Sequence, residues 1–508
     1  MHRGELVDTL IDLLYRGREG WQEALVRKAF SDALRERYVK IAADLESKSN
    51  GERRFQLRVN GQIDAGATPF AALVAPEQPA SGPYGGMSLV VFPADEADPG
   101  EGPLPCLIGM VVGTHGLAPD DLILGKPGHA RKCTAIAQWQ RAQGVMRFAW
   151  AKQDPTRTDL RLPEVIRKRL TGWQGALEQY GHCLYLILEP PRVAPAGGER
   201  EALREAVTAL CDLFFDERGI DQKAAHRQGA QRLRDRWLDH LLPDADDAQI
   251  VDLLAARRFV VLEGPPGTGK TRLAYQVLRT RYGERGRVIQ FHPGTTYESF
   301  VGGLGPGSGP QGSLVFEPVP GHLMQACEAA RADPGRRHLL VIDEINRADL
   351  SKVLGEAILL FEAGESERTV GLAHAFPGVG RALSLPPNLD VLGTMNSADR
   401  SIAILDIAVR RRFAFVPLYP QRSVVERHGG ARMQEVFTSL LRLFIEHAGS
   451  EAVSLMPGHS YFLASDERAD AALQTQLRPL LEEYLAQGYV AGFANEVRAF
   501  IDTLPVSR

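Results

Sequence analysis

The stretch Val260-Val-Leu-Glu-Gly-Pro-Pro-Gly-Thr-Gly-Lys-Thr271 joins an apolar predicted strand to a glycine-rich loop that ends in Lys-Thr. It matches the phosphate-binding pattern G-x-x-x-x-G-K-[ST] in full, between a predicted strand and a predicted helix. Glycines let such a loop wrap so that successive N–H groups point at phosphate oxygens. Lys270 is predicted to reach the β and γ phosphates of a nucleotide, and Thr271 to offer its hydroxyl to Mg²⁺. The predicted nucleotide-binding residues of the loop are Gly264, Pro265, Pro266, Gly267, Thr268, Gly269, Lys270 and Thr271.

A second motif lies downstream in His338-Leu-Leu-Val-Ile-Asp-Glu344. Its apolar residues predict a buried strand, whose carboxyl end would place Asp343 where it can hold the same Mg²⁺. Glu344 is then positioned to polarise the attacking water. An apolar strand can end in two acids by chance, but the loop upstream favours the catalytic interpretation. The two motifs together predict a nucleoside triphosphatase.

Two polar clusters follow the acidic motif. The strand predicted over 389–395 ends in Asn396-Ser-Ala-Asp-Arg400, where Asn396 could donate to the γ-phosphate or hold the water. Arg410-Arg-Arg412 follows a short predicted amphipathic helix. In a ring of subunits such arginines can reach a neighbour's γ-phosphate, and pairing with surface acids explains them equally well.

Over residues 247–504 the chain resembles the McrB family of AAA+ GTPases, the motor subunits of modified-cytosine restriction complexes. The resemblance is carried by Phe300-Val-Gly-Gly-Leu304, Val341-Ile-Asp-Glu-Ile-Asn-Arg-Ala-Asp349, Met395-Asn-Ser-Ala-Asp-Arg-Ser401, Arg410-Arg-Arg-Phe413 and Gly458-His-Ser-Tyr-Phe462. It implies an α/β fold with a five-stranded parallel sheet flanked by helices, a C-terminal helical lid, and a ring, usually a hexamer, with each active site between two subunits.

The resemblance also implies roles for single residues. It assigns Asn396 and Asp399 to the signature element, with Arg400 beside them as a further nucleotide-binding candidate. It makes Arg411 and Arg412 the best residues to act on a neighbouring subunit. The candidate catalytic residues are therefore Glu344, Asn396, Arg411 and Arg412; the candidate metal ligands are Thr271 and Asp343.

The nucleotide and the partners remain open at this stage. GTP is the nucleotide that the resemblance implies, but this form of the loop is common in relatives that use ATP. We find no convincing nuclease core, so cleavage is expected from a separate subunit resembling McrC. The segment Gly302 to Gly312 is interpreted as a disordered connector rather than a pore loop. His459 is interpreted as a structural histidine rather than a nucleotide contact.

Composition describes an ordinary globular chain of 508 residues with a formal net charge of −4. This charge gives no whole-protein signature of a nucleic-acid or membrane binder. Five separated cysteines are expected to be buried thiols, no run is long enough to cross a bilayer, and a cytoplasmic protein is the default. The predicted domains are a separate α/β target-recognition domain (1–190), a linker with helices (191–246), the large AAA+ subdomain (247–420) and the lid (421–508).

A basic segment stands out within the first predicted domain. Between Lys126 and Arg169, eleven basic and three acidic residues give a net charge of +8. Trp139, Phe148, Trp150 and Trp173 are interleaved with or follow these charges, a combination suited to phosphate neutralisation and base stacking. Solvated helix faces also collect Lys and Arg, and tryptophans are usually core residues. We expect this domain to bind double-stranded DNA.

Three functions fit these patterns. The first is a hexameric motor, using GTP or ATP with Mg²⁺, that recognises modified or foreign DNA and drives a partner nuclease in defence against phage. The second is an ATP-dependent remodelling motor of the MoxR kind, whose N-terminal domain binds a protein. The third is a ring switched by a small signal that the N-terminal domain senses.

Overall fold

The structure is a computed structural model of the chain. It describes residues 5–18, 20–39, 41, 54–61, 68–95, 103–308, 314–362, 368–398, 407–450 and 452–505. Two compact units are present, residues 1–241 with 445–447, and residues 242–444 with 448–508. Asp399 and Arg400, both predicted at the nucleotide, lie outside the described residues. No described helix is long and apolar enough to cross a membrane.

The described part of the first unit contains a six-stranded antiparallel sheet in the order β1-β2-β3-β4-β6-β5. Its strands are β1 (Gln56–Asn60), β2 (Phe70–Val74), β3 (Met87–Phe92), β4 (Leu107–Val112), β5 (Phe148–Ala151) and β6 (Leu184–Glu189). Apolar, β-rich runs at 55–59, 88–92, 106–114 and 183–188 predict four of these strands, β1, β3, β4 and β6. Strands β2 and β5 were not predicted from the sequence.

Helices pack around this sheet. They span Glu5–Leu14, Glu23–Arg37, Asp121–Leu124, Pro127–Gln143, Glu164–Arg169, Gln174–Tyr180, Gly197–Glu217 and Ala224–Leu238. The sequence predicts a helical stretch over 162–180, which a 3₁₀ turn, Thr171–Trp173, interrupts. The helices predicted as part of a linker, Gly197–Glu217 and Ala224–Leu238, fall within the first unit. Apolar side chains such as Leu203, Leu210 and Phe214 are fully buried there.

The second unit contains a five-stranded parallel sheet in the order β15-β7-β14-β11-β8. Its strands are β7 (Phe259–Gly264), β8 (Gly286–Gln290), β11 (His338–Asp343), β14 (Leu389–Asn396) and β15 (Ala414–Pro417). The central strands read as continuous apolar runs because both faces are covered, as in other parallel sheets. This arrangement confirms the predicted sheet.

Two further antiparallel strand pairs belong to this unit: β9 (Gly302–Ser308) with β10 (Leu314–Pro320), and β12 (Thr369–Phe376) with β13 (Gly380–Ser384). The interpretation of 302–312 as a disordered connector is wrong for residues 302–308, which pair over their whole length with β10. Glycine content is typical of a connector, but backbone pairing rather than side-chain packing holds this strand.

Helices cover the sheet and form the C-terminal region. They span Asp247–Arg257, Lys270–Val277, Tyr297–Phe300, His322–Ala332, Leu350–Leu354, Ile407–Arg410, Arg422–His428, Ala431–His447, Asp466–Ala472, Arg478–Ala486 and Ala494–Asp502, with a short 3₁₀ helix at His459–Phe462. Asp349, a residue type that the sequence favours as a helix N-cap, accepts a hydrogen bond from the Lys352 N–H at 3.3 Å. Strand β7 and helix Lys270–Val277 therefore flank the glycine-rich loop, the context that its motif requires.

Candidate nucleotide-binding site

The glycine-rich loop connects β7 to helix Lys270–Val277. Gly267 and Gly269 have φ angles of 84° and 81°, a left-handed region that side chains rarely adopt. The loop therefore needs glycine at both positions to turn its backbone toward the helix. Gly269 is also the N-cap of that helix, so the unpaired N–H groups of the first turn open toward the loop.

Lys270 lies inside the loop rather than in solvent. Its side-chain Nζ donates to the carbonyl oxygens of Gly264 at 2.9 Å and Pro265 at 2.8 Å. Burial lowers the pKa of Lys270 to about 8, against the opposing effect of the Glu344 and Asp343 carboxylates. An ammonium that is largely desolvated and held only by carbonyls interacts strongly with an anion that reaches it.

Asp343 is held between two hydroxyl groups at the carboxyl end of the sheet. Its Oδ1 accepts hydrogen bonds from Thr271 Oγ1 at 2.9 Å and from Thr394 Oγ1 at 2.6 Å. A carboxylate beside a threonine hydroxyl is the hard-oxygen pair suited to Mg²⁺, which otherwise keeps water and phosphate ligands. Among the described residues no cluster of three or more His, Cys, Asp or Glu side chains could hold a metal ion.

Glu344 adopts a left-handed backbone conformation, with φ of 53°. Its N–H donates to Thr394 Oγ1 at 3.0 Å, so this hydroxyl binds the acidic motif at two adjacent residues. The Glu344 carboxylate lies 3.6 Å from Arg347 Nε. A left-handed residue other than glycine costs of order 1–3 kcal/mol and is found mainly at functional sites. Thr394 was not predicted as a site residue. Its position on β14, the strand that pairs with β11, is the feature that could have indicated it.

Asn396 ends β14 directly beside the start of the loop. It pairs in register with Gly264, and the following residue, Ser397, donates its N–H to the Gly264 carbonyl at 3.0 Å. The Asn396 side-chain oxygen accepts from the Ala398 N–H at 3.1 Å. The NH₂ group of the same side-chain amide can donate a hydrogen bond to a ligand. The structure thus brings Asn396, Lys270, Thr271, Asp343 and Glu344 to one edge of the sheet.

Comparison with known proteins agrees with this geometry. Residues 259–413 match the family model described as AAA domain (dynein-related subfamily). Residues 259–413 form an AAA domain.

Two curated relatives extend the comparison. The chain is 31% identical over 278 residues to the Type IV methyl-directed restriction enzyme EcoKMcrB subunit of Escherichia coli strain K12, and the matching region covers 50% of this chain and 59% of the relative. It is 29% identical over 189 residues to the Type II restriction enzyme BsuMI component YdiS of Bacillus subtilis strain 168, covering 30% and 55%. The chain spans less than two thirds of the length of these relatives. The predicted resemblance to McrB is confirmed over this part of the chain.

The three consecutive arginines of the AAA domain differ in exposure. The side chains of Arg410 and Arg411 are 51% and 62% exposed and lie 3.8 Å from Glu263 and 3.7 Å from Glu362. Arg412 is only 7% exposed, donates from Nη1 to the Ala408 carbonyl at 2.7 Å and lies 3.5 Å from Glu362. Its predicted action on a neighbouring subunit is not supported by this position, because the guanidinium is turned inward. Arg411 is the accessible candidate.

Outside the AAA domain, the basic segment is only partly free to bind an anion. Glu189 lies 2.9 Å from Arg147 and 3.7 Å from Arg169, and further short ion pairs join Lys168 to Glu164 and Arg157 to Asp159. The side chains of Arg161 and Arg167 are exposed, and no hydrogen bond or ion pair engages them within the described residues.

The aromatic residues of the same segment are less available than its charges. Trp139 and Trp173 are 1% and 2% exposed, in the interior of the first unit. The suggestion that they stack on bases is therefore wrong for this conformation, because their ring faces are covered. Phe148 and Trp150 lie on β5 and are half-buried. The DNA-binding prediction therefore depends on the exposed side chains of Arg161 and Arg167.

Proposed function

We propose that the chain is a ring-forming nucleoside triphosphatase that uses GTP, or ATP, with Mg²⁺. The observation that carries the proposal is the Thr394 hydroxyl, which joins Asp343 and Glu344 to each other beside Thr271. This arrangement holds a metal-ligating carboxylate and a second carboxylate one residue apart at the mouth of a phosphate-binding loop. A triphosphatase needs that pair and that loop together.

Each residue of the site has a separate role in hydrolysis. Mg²⁺, held by Thr271 and Asp343, would neutralise charge on the phosphates. When nucleotide binds, Lys270 replaces its hydrogen bonds to the loop carbonyls with hydrogen bonds to phosphate oxygens. As a cation, it stabilises the negative charge that accumulates in the transition state. Glu344 accepts a hydrogen bond from the attacking water and aligns it in line with the leaving group. Asn396 donates its amide N–H to the γ-phosphate or to the same water.

We further propose that this triphosphatase is the motor of a DNA restriction system in the cytoplasm, assembled as a homo-oligomeric ring, hexameric by analogy with the family. Both relatives are restriction-enzyme components by name, which supports this role. The first unit would recognise modified or foreign double-stranded DNA through Arg161 and Arg167. A nuclease subunit resembling McrC would cut, so that hydrolysis moves the DNA for a partner.

Phosphate release by the full-length chain tests the enzymatic part. We expect Mg²⁺-dependent hydrolysis of GTP or ATP, lost at least about a hundredfold in Glu344→Gln while nucleotide still binds. Glu284→Gln, at an exposed surface turn, removes the same charge and should hydrolyse normally. Comparison of the two nucleotides decides which is preferred. Substantial turnover by Glu344→Gln would contradict the role given to this carboxylate.

DNA retention at low salt tests the recognition part. Arg167→Glu with Lys168→Glu should weaken binding and flatten its salt dependence, because fewer counterions are released. Arg279→Glu with Arg281→Glu gives the same change of charge on exposed residues of the second unit and serves as the matched control. Equal retention by both double variants would point instead to a protein substrate, as in a remodelling motor of the MoxR kind.

A further inference from the structure

An arginine lies on the buried face of the first unit's sheet. Arg58 of β1 pairs in register with Ala72 of β2, which pairs in turn with Val90 of β3, so the three side chains share one face. Ala72 and Val90 belong to the apolar core on that face. Arg58 is itself only 8% exposed. An arginine is rarely buried to this extent unless an acidic side chain pairs with it.

No acidic side chain among the described residues pairs with Arg58. Its Nη2 donates to the carbonyl oxygen of Gly82 at 2.8 Å, and its guanidinium carbon lies 5.0 Å from the centre of the Tyr84 ring. Its Nη1 is buried and has no hydrogen-bond partner in the same part of the chain. Burial lowers the pKa of Arg58, and no carboxylate of a described residue offsets this shift. Because a guanidinium keeps its proton in proteins, the group is a buried positive charge without a counter-charge.

Arg218 shows the contacts of a paired arginine in the same unit. Its side chain is also 8% exposed, its Nη2 donates to the Met87 carbonyl at 2.9 Å, and its guanidinium carbon lies 4.8 Å from the centre of the Phe214 ring. In addition, Asp120 accepts hydrogen bonds from both terminal nitrogens, at 3.0 Å and 2.7 Å. Arg58 and Arg218 thus each have a carbonyl acceptor and an aromatic neighbour, but only Arg218 has a carboxylate.

Arg58 lies in the wall of a cavity of about 670 Å³. Sites for small organic molecules span about 300–1,000 Å³. The described lining residues include Arg27 and Arg58 and no Asp or Glu, and Arg27 is already paired with Glu23 at 2.8 Å. The rings of Phe70 and Tyr180, both half-buried, line the same cavity and pack edge to face with their centres 6.1 Å apart. The described walls of the cavity therefore combine an unpaired positive charge with aromatic surface.

We propose that this cavity binds a small aromatic carboxylate, with the carboxylate group against Arg58 and the ring beside Phe70 and Tyr180. A single carboxylate charge neutralises a single guanidinium, and its oxygen accepts the hydrogen bond that Nη1 lacks. A phosphate group carries more negative charge than one guanidinium balances, which is unfavourable beside a buried cation that has no second basic partner free. The planar ring of the ligand gains from contact with the aromatic side chains. The first unit then has a ligand site of its own, which does not depend on the proposed nucleotide site.

Binding of 2-naphthoate to the full-length chain tests the inference. This probe carries a carboxylate on a planar double ring, whereas 2-naphthol has the ring without the charge and acetate has the charge without the ring. We expect 2-naphthoate to bind with a Kd of about 1 mM or below, and the other two to bind at least about tenfold more weakly. Arg58→Met should lose at least about tenfold in affinity, and Arg58→Lys, which keeps the charge, should stay within about fivefold. Arg167→Met, at an exposed arginine of the same unit, should bind normally.

The unfolding midpoint without ligand separates a binding role from a structural one. Arg58→Met removes an unpaired buried charge and should leave the midpoint unchanged or raise it. Arg218→Met leaves Asp120 as an unpaired buried charge and should lower the midpoint by about 5 °C or more. Three results would each overturn the inference: no binding of 2-naphthoate, binding that 2-naphthol or Arg58→Met matches, or a fall in the midpoint of Arg58→Met comparable to that of Arg218→Met. None of these results depends on whether the chain hydrolyses nucleotide.

Discussion

At the scale of single residues, the Thr394 hydroxyl joins the two acidic residues of the site. It is 1% exposed, donates to Asp343 and accepts from the Glu344 N–H. Thr394→Val keeps the shape and leaves both partners without their bond, which costs about 1–3 kcal/mol for a buried polar group. We expect a loss of that size in the free energy of unfolding and a fall in kcat of about tenfold or more, with KM less affected.

Thr394→Ser supplies the control because it retains the hydroxyl and loses only a methyl group. Denaturant unfolding and steady-state phosphate release on the same preparations give both quantities. A serine variant as inactive as the valine variant would show that the methyl group, and hence packing, is what matters at this position.

Lys270 gives the site a predictable dependence on pH. Burial lowers its pKa to about 8, and bound phosphates favour the charged form, so binding takes up a proton once the free lysine is neutral. Affinity should therefore be constant below about pH 8 and fall by up to about tenfold per pH unit above it. Titrations of the nucleotide Kd from pH 7.5 to 9.5 measure this slope. Lys270→Arg stays charged throughout, so whatever affinity it retains should not change with pH.

At the scale of elements, the sequence predicted the strands that end at the site better than the contacts between them. Strands β7, β11 and β14 are rich in apolar residues and were predicted as buried strands, and their parallel sheet was implied by the resemblance to the McrB family. Which side chains meet at the sheet edge depends on register, and register brings Thr394 beside Asp343 across about fifty residues of sequence. Strand β9 was mistaken for a connector because backbone pairing leaves little trace in glycine-rich sequence.

The segment 458–460 contacts the glycine-rich loop through two backbone hydrogen bonds, from the Gly458 N–H to the Pro266 carbonyl and from the Ser460 N–H to the Gly267 carbonyl. Gly458→Ala would place a Cβ atom 2.0 Å from Gly267 C and 2.3 Å from Thr268 N, both backbone atoms that no rotamer change can move. We expect the segment to shift, the nucleotide Kd to rise about tenfold, and the unfolding free energy to fall by about 1–3 kcal/mol.

Gly492→Ala, in the same C-terminal region, is the matched control because a Cβ atom there meets nothing within 4 Å. It should bind nucleotide and unfold as the unsubstituted chain does. Unchanged nucleotide binding by Gly458→Ala would mean that the loop does not need this segment in place.

At the scale of the whole molecule, the sequence could not show which charges are already paired. The basic segment has a net charge of +8 in the sequence, yet Glu189 from β6 neutralises part of it, and Trp139 and Trp173 belong to the core. In the same way Glu362 holds Arg412 inside the AAA domain from fifty residues upstream. Such pairings are long-range in sequence, so charge counts over a local window overstate the surface available to a partner.

Arg411 provides the test of assembly. If it acts on the site of a neighbouring subunit, Arg411→Ala and Glu344→Gln should each be nearly inactive, since one lacks the donated arginine and the other its own carboxylate. Mixing the two should restore activity, because an Arg411→Ala site that faces a Glu344→Gln subunit regains both groups. We expect phosphate release to rise at least about fivefold over the sum of the separate variants after subunit exchange. Arg498→Ala, at an exposed position of the second unit, should be active without mixing. No gain on mixing, with both variants folded and assembled, would place Arg411 in the chemistry of its own subunit or outside it altogether.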